Sequence, residues 1–199
     1  MELTYGRYLK VEELLQLQQP LSEGPEHDEM LFIIIHQVYE LWFKQILHEL
    51  EKLKSSFQEG ERGKALHTLK RIRSILKVLV SQVDVLETMT PLEFLSFRER
   101  LQSASGFQSC QFRELEFTLG LKNPKHLEHY PQGSEERNRL EKKMDEPSLW
   151  EVFLQFLSSL GHDSPKLKEG GRSIEPPDSS EDIQDLSLIH ISEPTRQKP

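Results

Sequence analysis

Two lines of apolar residues run along one stretch of this chain, and they limit its fold more than any other feature. Leu31, Ile34, Ile35, Val38, Leu41 and Trp42 form one line, and Phe32, Tyr39, Phe43, Ile46 and Leu50 form another. A helix with one such stripe lies on a core; a helix with two must be covered on two sides. The helix predicted from about Glu26 to Lys54 is therefore the centre of a bundle. Glu26, Asp28 and Glu29 fall in its first turn, where acids complement the positive helix start.

The rest of the ordered-looking sequence is helix and loop, because apolar residues recur at three and four rather than two and no Asn-Gly or Asp-Gly turn joins alternating runs. A first helix is expected from about Val11 to Gln19, closed by Pro20, and the turn Ser22-Glu23-Gly24-Pro25 leads into the central one. Lys64 to Glu87 reads as a helix with a narrower stripe of Leu66, Leu69, Ile72, Ile75, Leu76 and Leu79 and a wet face. Pro91 opens a short helix reaching Leu101, and further helices are predicted near Gln108–Leu119, Glu135–Met144 and Pro147–Leu160. The fold class is all-α, a helical bundle around one long helix.

Composition narrows the function. The chain has 199 residues, 36% hydrophobic and 29% charged, a soluble globular balance. Its formal net charge of -8 argues against a nucleic-acid partner, whose affinity comes from clustered Lys and Arg. One cysteine, Cys110, leaves no internal disulfide, and neither a signal-peptide run nor an 18-residue apolar span occurs, so no membrane association and a cytoplasmic location are expected.

Two residue pairs could carry chemistry. Phe32 and His36 are four apart and share a helix face, which sets a histidine among apolar neighbours. It is either a core histidine hydrogen-bonded to backbone or Tyr39, or a polar group aimed into a cavity. Phe94 and Arg98 repeat the spacing, and the guanidinium calls for an anion: Glu87, Glu93 or Glu99 in a surface ion pair, or a ligand's carboxylate. Zinc, nucleotide and serine-hydrolase motifs are absent, and His126 and His129 sit on a short exposed turn, a poor metal site.

Four long segments then become specific: LTYGRYL at Leu3–Leu9, EHDEMLFIIIHQVYELWFKQILHEL at Glu26–Leu50, LETMTPLEFLSFRERL at Leu86–Leu101 and SASGFQSCQFRELEF at Ser103–Phe117. With PSLWEVFLQFL at Pro147–Leu157 they closely resemble the tryptophan 2,3-dioxygenase family in collinear order from Leu3 to His162. The resemblance implies the helical indoleamine/tryptophan dioxygenase-like fold, incomplete here, and a haem b enzyme. Such an enzyme adds O2 across the indole C2–C3 bond of L-tryptophan to give N-formyl-L-kynurenine, the entry to the kynurenine pathway.

It also implies roles. Phe32, Ile33, Ile34, Ile35 and His36 line the substrate pocket on the distal side of the haem, with His36 hydrogen-bonding the indole N–H as a catalytic, substrate-orienting group rather than a metal ligand. Phe94 borders the pocket, Arg98 clamps the carboxylate, and Ser105 lies near the haem edge. Tyr5 and Tyr8 reach a neighbouring subunit's pocket in a homotetramer; the plainer reading of both is a small anchor for the N-terminus. On the residues themselves, a non-enzymatic helical interaction module and a haem dioxygenase acting on a related indole also stay open.

The chain is expected to divide at 163. Residues 164–185, with three prolines and Gly170-Gly171, read as a flexible loop, and Leu186–Arg196 reads as the in-frame translation of a transposase sequencing adapter, making 186–199 a disordered tail. The family's proximal histidine and its glycine-rich loop are not found in this sequence, so the chain is expected to be an N-terminal fragment, inactive and unable to retain haem.

Overall fold

A computed structural model describes residues 3–22, 24, 26–101 and 106–162; Ser105, the loop 164–185 and the tail 186–199 lie outside the described residues. Every regular element among the described residues is helical. The central helix, α3, spans Asp28–Gln58, about 46 Å at 1.5 Å per residue. It ends in the turn Glu59 to Glu61, where Gly60 takes φ +72, a left-handed conformation that suits glycine. Glu61 N–H there closes back on Ser56 O at 2.9 Å and Gly60 N–H on Phe57 O at 3.2 Å, satisfying the last carbonyls of α3. The chain then returns along α3 as α4, Arg62–Leu86.

α4 meets α3 through Ala65, Thr68, Ile72, Ile75 and Leu79, whereas Leu66, Leu69 and Leu76 of the expected stripe are exposed. Two lines, one residue apart, compete along this helix. The line that wins begins with the small Ala65 and Thr68, which let the backbones approach beside the turn. Tyr39 closes the other end by donating to Leu79 O at 2.7 Å.

Two more helices cover the other side of α3: α6, Cys110–Leu119, and α8, Leu149–Ser159. The core joins Ile46, Leu50, Leu53 and Phe57 to Ile72, Ile75 and Leu79, to Leu115 of α6, and to Val152 and Phe156 of α8. Leu50 and Leu53 are 0% exposed, so truncating either to Ala costs about 2–5 kcal/mol. α7, Glu135–Asp145, packs on α6 around Phe117, Tyr130 and Leu140 and is pinned by Arg139, which forks onto both oxygens of Glu114 at 3.0 and 2.6 Å. The expectation of cover on two sides holds for the C-terminal half of α3. In the N-terminal half Ile34 and Leu41 remain exposed.

The N-terminal helix departs from expectation. It starts six residues earlier, as α1, Tyr5–Leu9, and continues as α2, Val11–Leu14; Lys10 between them is left-handed at φ 51, ψ 47. Neither piece contains a buried residue, and the segment to Pro20 is not helical. The chain between α4 and α6 forms α5, Pro91–Arg98, followed by one turn of 3-10 helix at Glu99–Leu101. No helix among the described residues is long and apolar enough to cross a membrane.

Candidate active site

α5 is positioned by its start and by one buried ring. Thr90 and Glu93 form a capping box, Thr90 N–H donating to Glu93 Oε2 at 2.6 Å and Glu93 N–H to Thr90 Oγ1 at 3.3 Å, with Pro91 at the first helical position. Phe97 then points inward with no exposed surface, while Leu92 and Leu95 stay outside. Its ring lies 5.6 Å from Phe32 of α3 and 5.5 Å from Phe94, and Phe32 and Phe94 are 5.8 Å apart. The two sequence pairs, Phe32 with His36 and Phe94 with Arg98, thus meet through their aromatic members. Arg98 ends α5 half-buried, one turn beyond Phe94 on the same side.

His36 lies half-buried on α3, its ring centroid 4.1 Å from that of Phe32. Its Nδ1 is 2.8 Å from Phe32 O. A carbonyl oxygen only accepts, so Nδ1 carries a proton, and in the neutral form of the ring Nε2 is then the acceptor. Of the two sequence alternatives for this histidine, the backbone bond is therefore present and uses one nitrogen; the other faces Gly106. A Cβ added to Gly106 would meet Nε2 at 3.8 Å and Cδ2 at 3.9 Å.

The position of Gly106 is built from several bonds. Residues Gly106–Gln108 form a 3-10 turn, Ser109 N–H donates to Gly106 O at 3.1 Å, and Tyr130 Oη donates to Gln108 O at 3.1 Å. Ser109 caps α6, accepting from Phe112 N–H, and Gln111 of α6 donates to Glu40 O and Oε2 at 3.0 and 2.7 Å. Glu40 is one turn after His36, so the bonds that dock α6 on α3 also place Gly106 beside the imidazole.

The isoleucines divide. At 100° per residue, Ile34 projects opposite the face shared by Phe32 and His36 and is exposed; Ile35 is buried, and Ile33 is half-buried on the flank. Tyr5 and Tyr8 are 78% and 71% exposed, so α1 presents an aromatic pair that is largely uncovered by its own chain. The segment behind it is tied to the site by Glu29, which is 1% exposed and accepts from Leu21 N–H at 2.7 Å and Ser22 N–H at 3.0 Å. Burial raises the Glu29 pKa, but the bonds from Ser22 and Leu21, with the charge of Arg100, outweigh it and leave the carboxyl below its ordinary 4.5. Arg100, just past α5, donates to Ser22 Oγ at 3.1 Å and Glu26 Oε1 at 3.2 Å.

Phe97 and Gly106 were not singled out from sequence, and Glu29 was read there only as a charge at the helix start. Phe97 stood in an apolar segment with Leu92, Leu95 and Leu101, and only the turn of α5 shows which of the four is inside. Among the described residues no three metal-ligating side chains gather, and His126 and His129, 6.4 Å apart ring to ring, lie on the 3-10 turn Pro124–His129 away from this site.

Known proteins resemble this chain along most of its length. A family model described as tryptophan 2,3-dioxygenase matches residues 1–173. The chain is similar to the tryptophan 2,3-dioxygenase of Herpetosiphon aurantiacus, 56% identical over 172 residues that cover 86% of this chain and 65% of that one. It is 53% identical to the one from Anaeromyxobacter sp. (strain K) over 84% of this chain and 62% of the relative, and 46% identical to that of Xanthomonas oryzae pv. oryzae over 82% and 55%. The chain thus spans between 55% and 65% of the length of these relatives.

Proposed function

This chain belongs to the tryptophan 2,3-dioxygenase family, and on that premise we propose that its site holds L-tryptophan for oxidative opening of the indole ring by O2 to N-formyl-L-kynurenine, in a protein of the relatives' length. The observation that carries this reading is the state of His36. With Nδ1–H given to Phe32 O, Nε2 is the nitrogen left to accept, in the neutral form of the ring, at an aromatic wall, and it is matched to an indole N–H.

The geometry supports the following roles. Phe32 and Phe94 pack on the flat faces and edges of the bicyclic ring, with Ile33 and Ile35 at the flanks. His36 orients the ring through Nε2 without removing its proton. Arg98 pairs with the substrate carboxylate, a planar anion that a guanidinium meets bidentately. Holding both ends of the amino acid fixes which ring bond faces the oxidant, and that positioning is the protein's contribution to the rate. Haem b would supply the activation of dioxygen. Phe32, Phe94, Ile33, Ile35 and His36 fit one wall of its pocket, being apolar or aromatic around the imidazole, and among the described residues of the site no second histidine opposes His36; Ser105, next to Gly106, is assigned to the haem edge.

Tyr5 and Tyr8 are assigned to the pocket of a neighbouring subunit in a homotetramer, and a cytoplasmic location goes with this reading. What supports the tyrosine assignment is an aromatic helix that buries no residue against its own chain.

The test is binding of L-tryptophan and of tryptamine, which lacks the carboxylate, to wild type and Arg98→Ala. Removing one partner of a buried charge pair costs about 2 to 5 kcal/mol, so L-tryptophan should weaken by that amount and tryptamine hardly at all. Equal weakening of both ligands, or none of either, rejects the assignment.

A further inference from the structure

Glycine at 106 is not explained by the backbone. Its φ lies outside the left-handed region that the other described glycines of the turns occupy, so an alanine there is unstrained. Nor is it explained by general crowding. Among the described residues, all that a Cβ would meet within 4 Å is one edge of one ring, Nε2 and Cδ2 of His36, at ordinary van der Waals distance. The missing side chain would therefore occupy the ground beside Nε2 of His36. The turn is held there by Tyr130, Ser109 and, through α6, Gln111, so it does not drift away to make room.

We propose that Gly106 is a specificity-determining residue: having no Cβ, it keeps the Nε2 edge of His36 open, so that the site selects heteroaromatic rings that bear an N–H over isosteres that do not. A hydrogen bond to Nε2 needs its donor at about 2.9–3.0 Å in line with the lone pair. A methyl group resting on that edge narrows the approach and replaces a polar contact with an apolar one. An N–H then loses its acceptor, whereas a ring carrying sulfur in its place loses nothing. Gly106 is in this sense a positioning residue acting through His36. The inference rests on the proposed binding of an indole at this site.

Two measurements separate this inference from that reading. The first needs no ligand. Diethyl pyrocarbonate acylates the free lone pair of a neutral imidazole, which in His36 is at Nε2. Carbethoxylation of His36 is followed by peptide mass spectrometry in wild type and Gly106→Ala, with exposed His48 as the internal reference. His36 should react several-fold more slowly in Gly106→Ala with His48 unchanged; equal rates at His36, including no reaction in either protein, overturn the proposal. The second compares L-tryptophan with 3-(benzothiophen-3-yl)-L-alanine, the same shape without the N–H. Wild type should prefer tryptophan, Gly106→Ala should lose that preference, and in a His36→Ala background the Gly106→Ala change should have no effect on it. A wild type that binds both ligands alike, or neither, counts against the proposed function and leaves the first measurement to decide on Gly106. A preference that persists undiminished in Gly106→Ala counts against Gly106 alone.

Discussion

Phe97 meets Phe32 edge-on, ring centroids 5.6 Å apart at 62° between planes, and is the contact through which α5 is seated on α3. It has no exposed surface, so Phe97→Ala should cost about 3–5 kcal/mol. A urea titration monitored by circular dichroism checks this. Phe94→Ala removes only a half-buried ring and should cost clearly less; equal losses would show that α5 is not held by Phe97.

Acid should loosen the N-terminal segment before the bundle. The folded-state pKa of Glu29 is below the ordinary 4.5, so its contribution is fully present above that value and is lost as pH falls through the lower, folded value. Protonation removes the charge that accepts from Leu21 and Ser22. Protection of the Leu21 and Ser22 amides, exchange measured against the intrinsic rate at each pH, should therefore fall below about pH 4.5, and Glu29→Gln should show the lower protection already at neutral pH. Slow exchange in Glu29→Gln would mean that other contacts hold this segment.

Cys110 should be a poor nucleophile. Burial, aided by the charge of Glu114, pushes its thiol up to about 11, and Sγ already donates to Glu136 O. At pH 7.5 iodoacetamide should alkylate the native protein far more slowly than the urea-unfolded one. A native rate close to the unfolded rate would place the thiol in solvent.

The tautomer of His36 is directly observable. Side-chain 15N spectra of histidine-labelled protein near neutral pH should show His36 protonated on Nδ1 and bare on Nε2, as the bond to Phe32 O requires. The reverse assignment would leave the site without an acceptor for an indole N–H.

Much of this was legible in the sequence, for identifiable reasons. The spacing of α3 announced a central helix, and the i, i+4 pairs announced which residues share a face, since both depend only on helix periodicity. What failed were choices among equivalent lines. Leu66, Leu69 and Leu76 are as apolar as Ile72, Ile75 and Leu79, and only the small Ala65 and Thr68 decide which row faces α3. The joint at Lys10 gave no warning, because lysine seldom takes a left-handed conformation and nothing in its neighbours marks the exception. The resemblance pointed to His36 and Arg98, but the service Gly106 performs is a matter of empty space, which a sequence does not display.

The turn at Glu59 to Glu61 bears on the order of assembly. Closing a loop this short costs little chain entropy, and the buried residues nearest it, Leu53 and Phe57 of α3 and Ala65 and Thr68 of α4, are near neighbours along the chain. Phe156, by contrast, must find Phe57 across about a hundred residues. The hairpin of α3 and α4 is thus expected to gain amide protection early in refolding, with α8 acquiring its own only when it arrives on a surface already prepared.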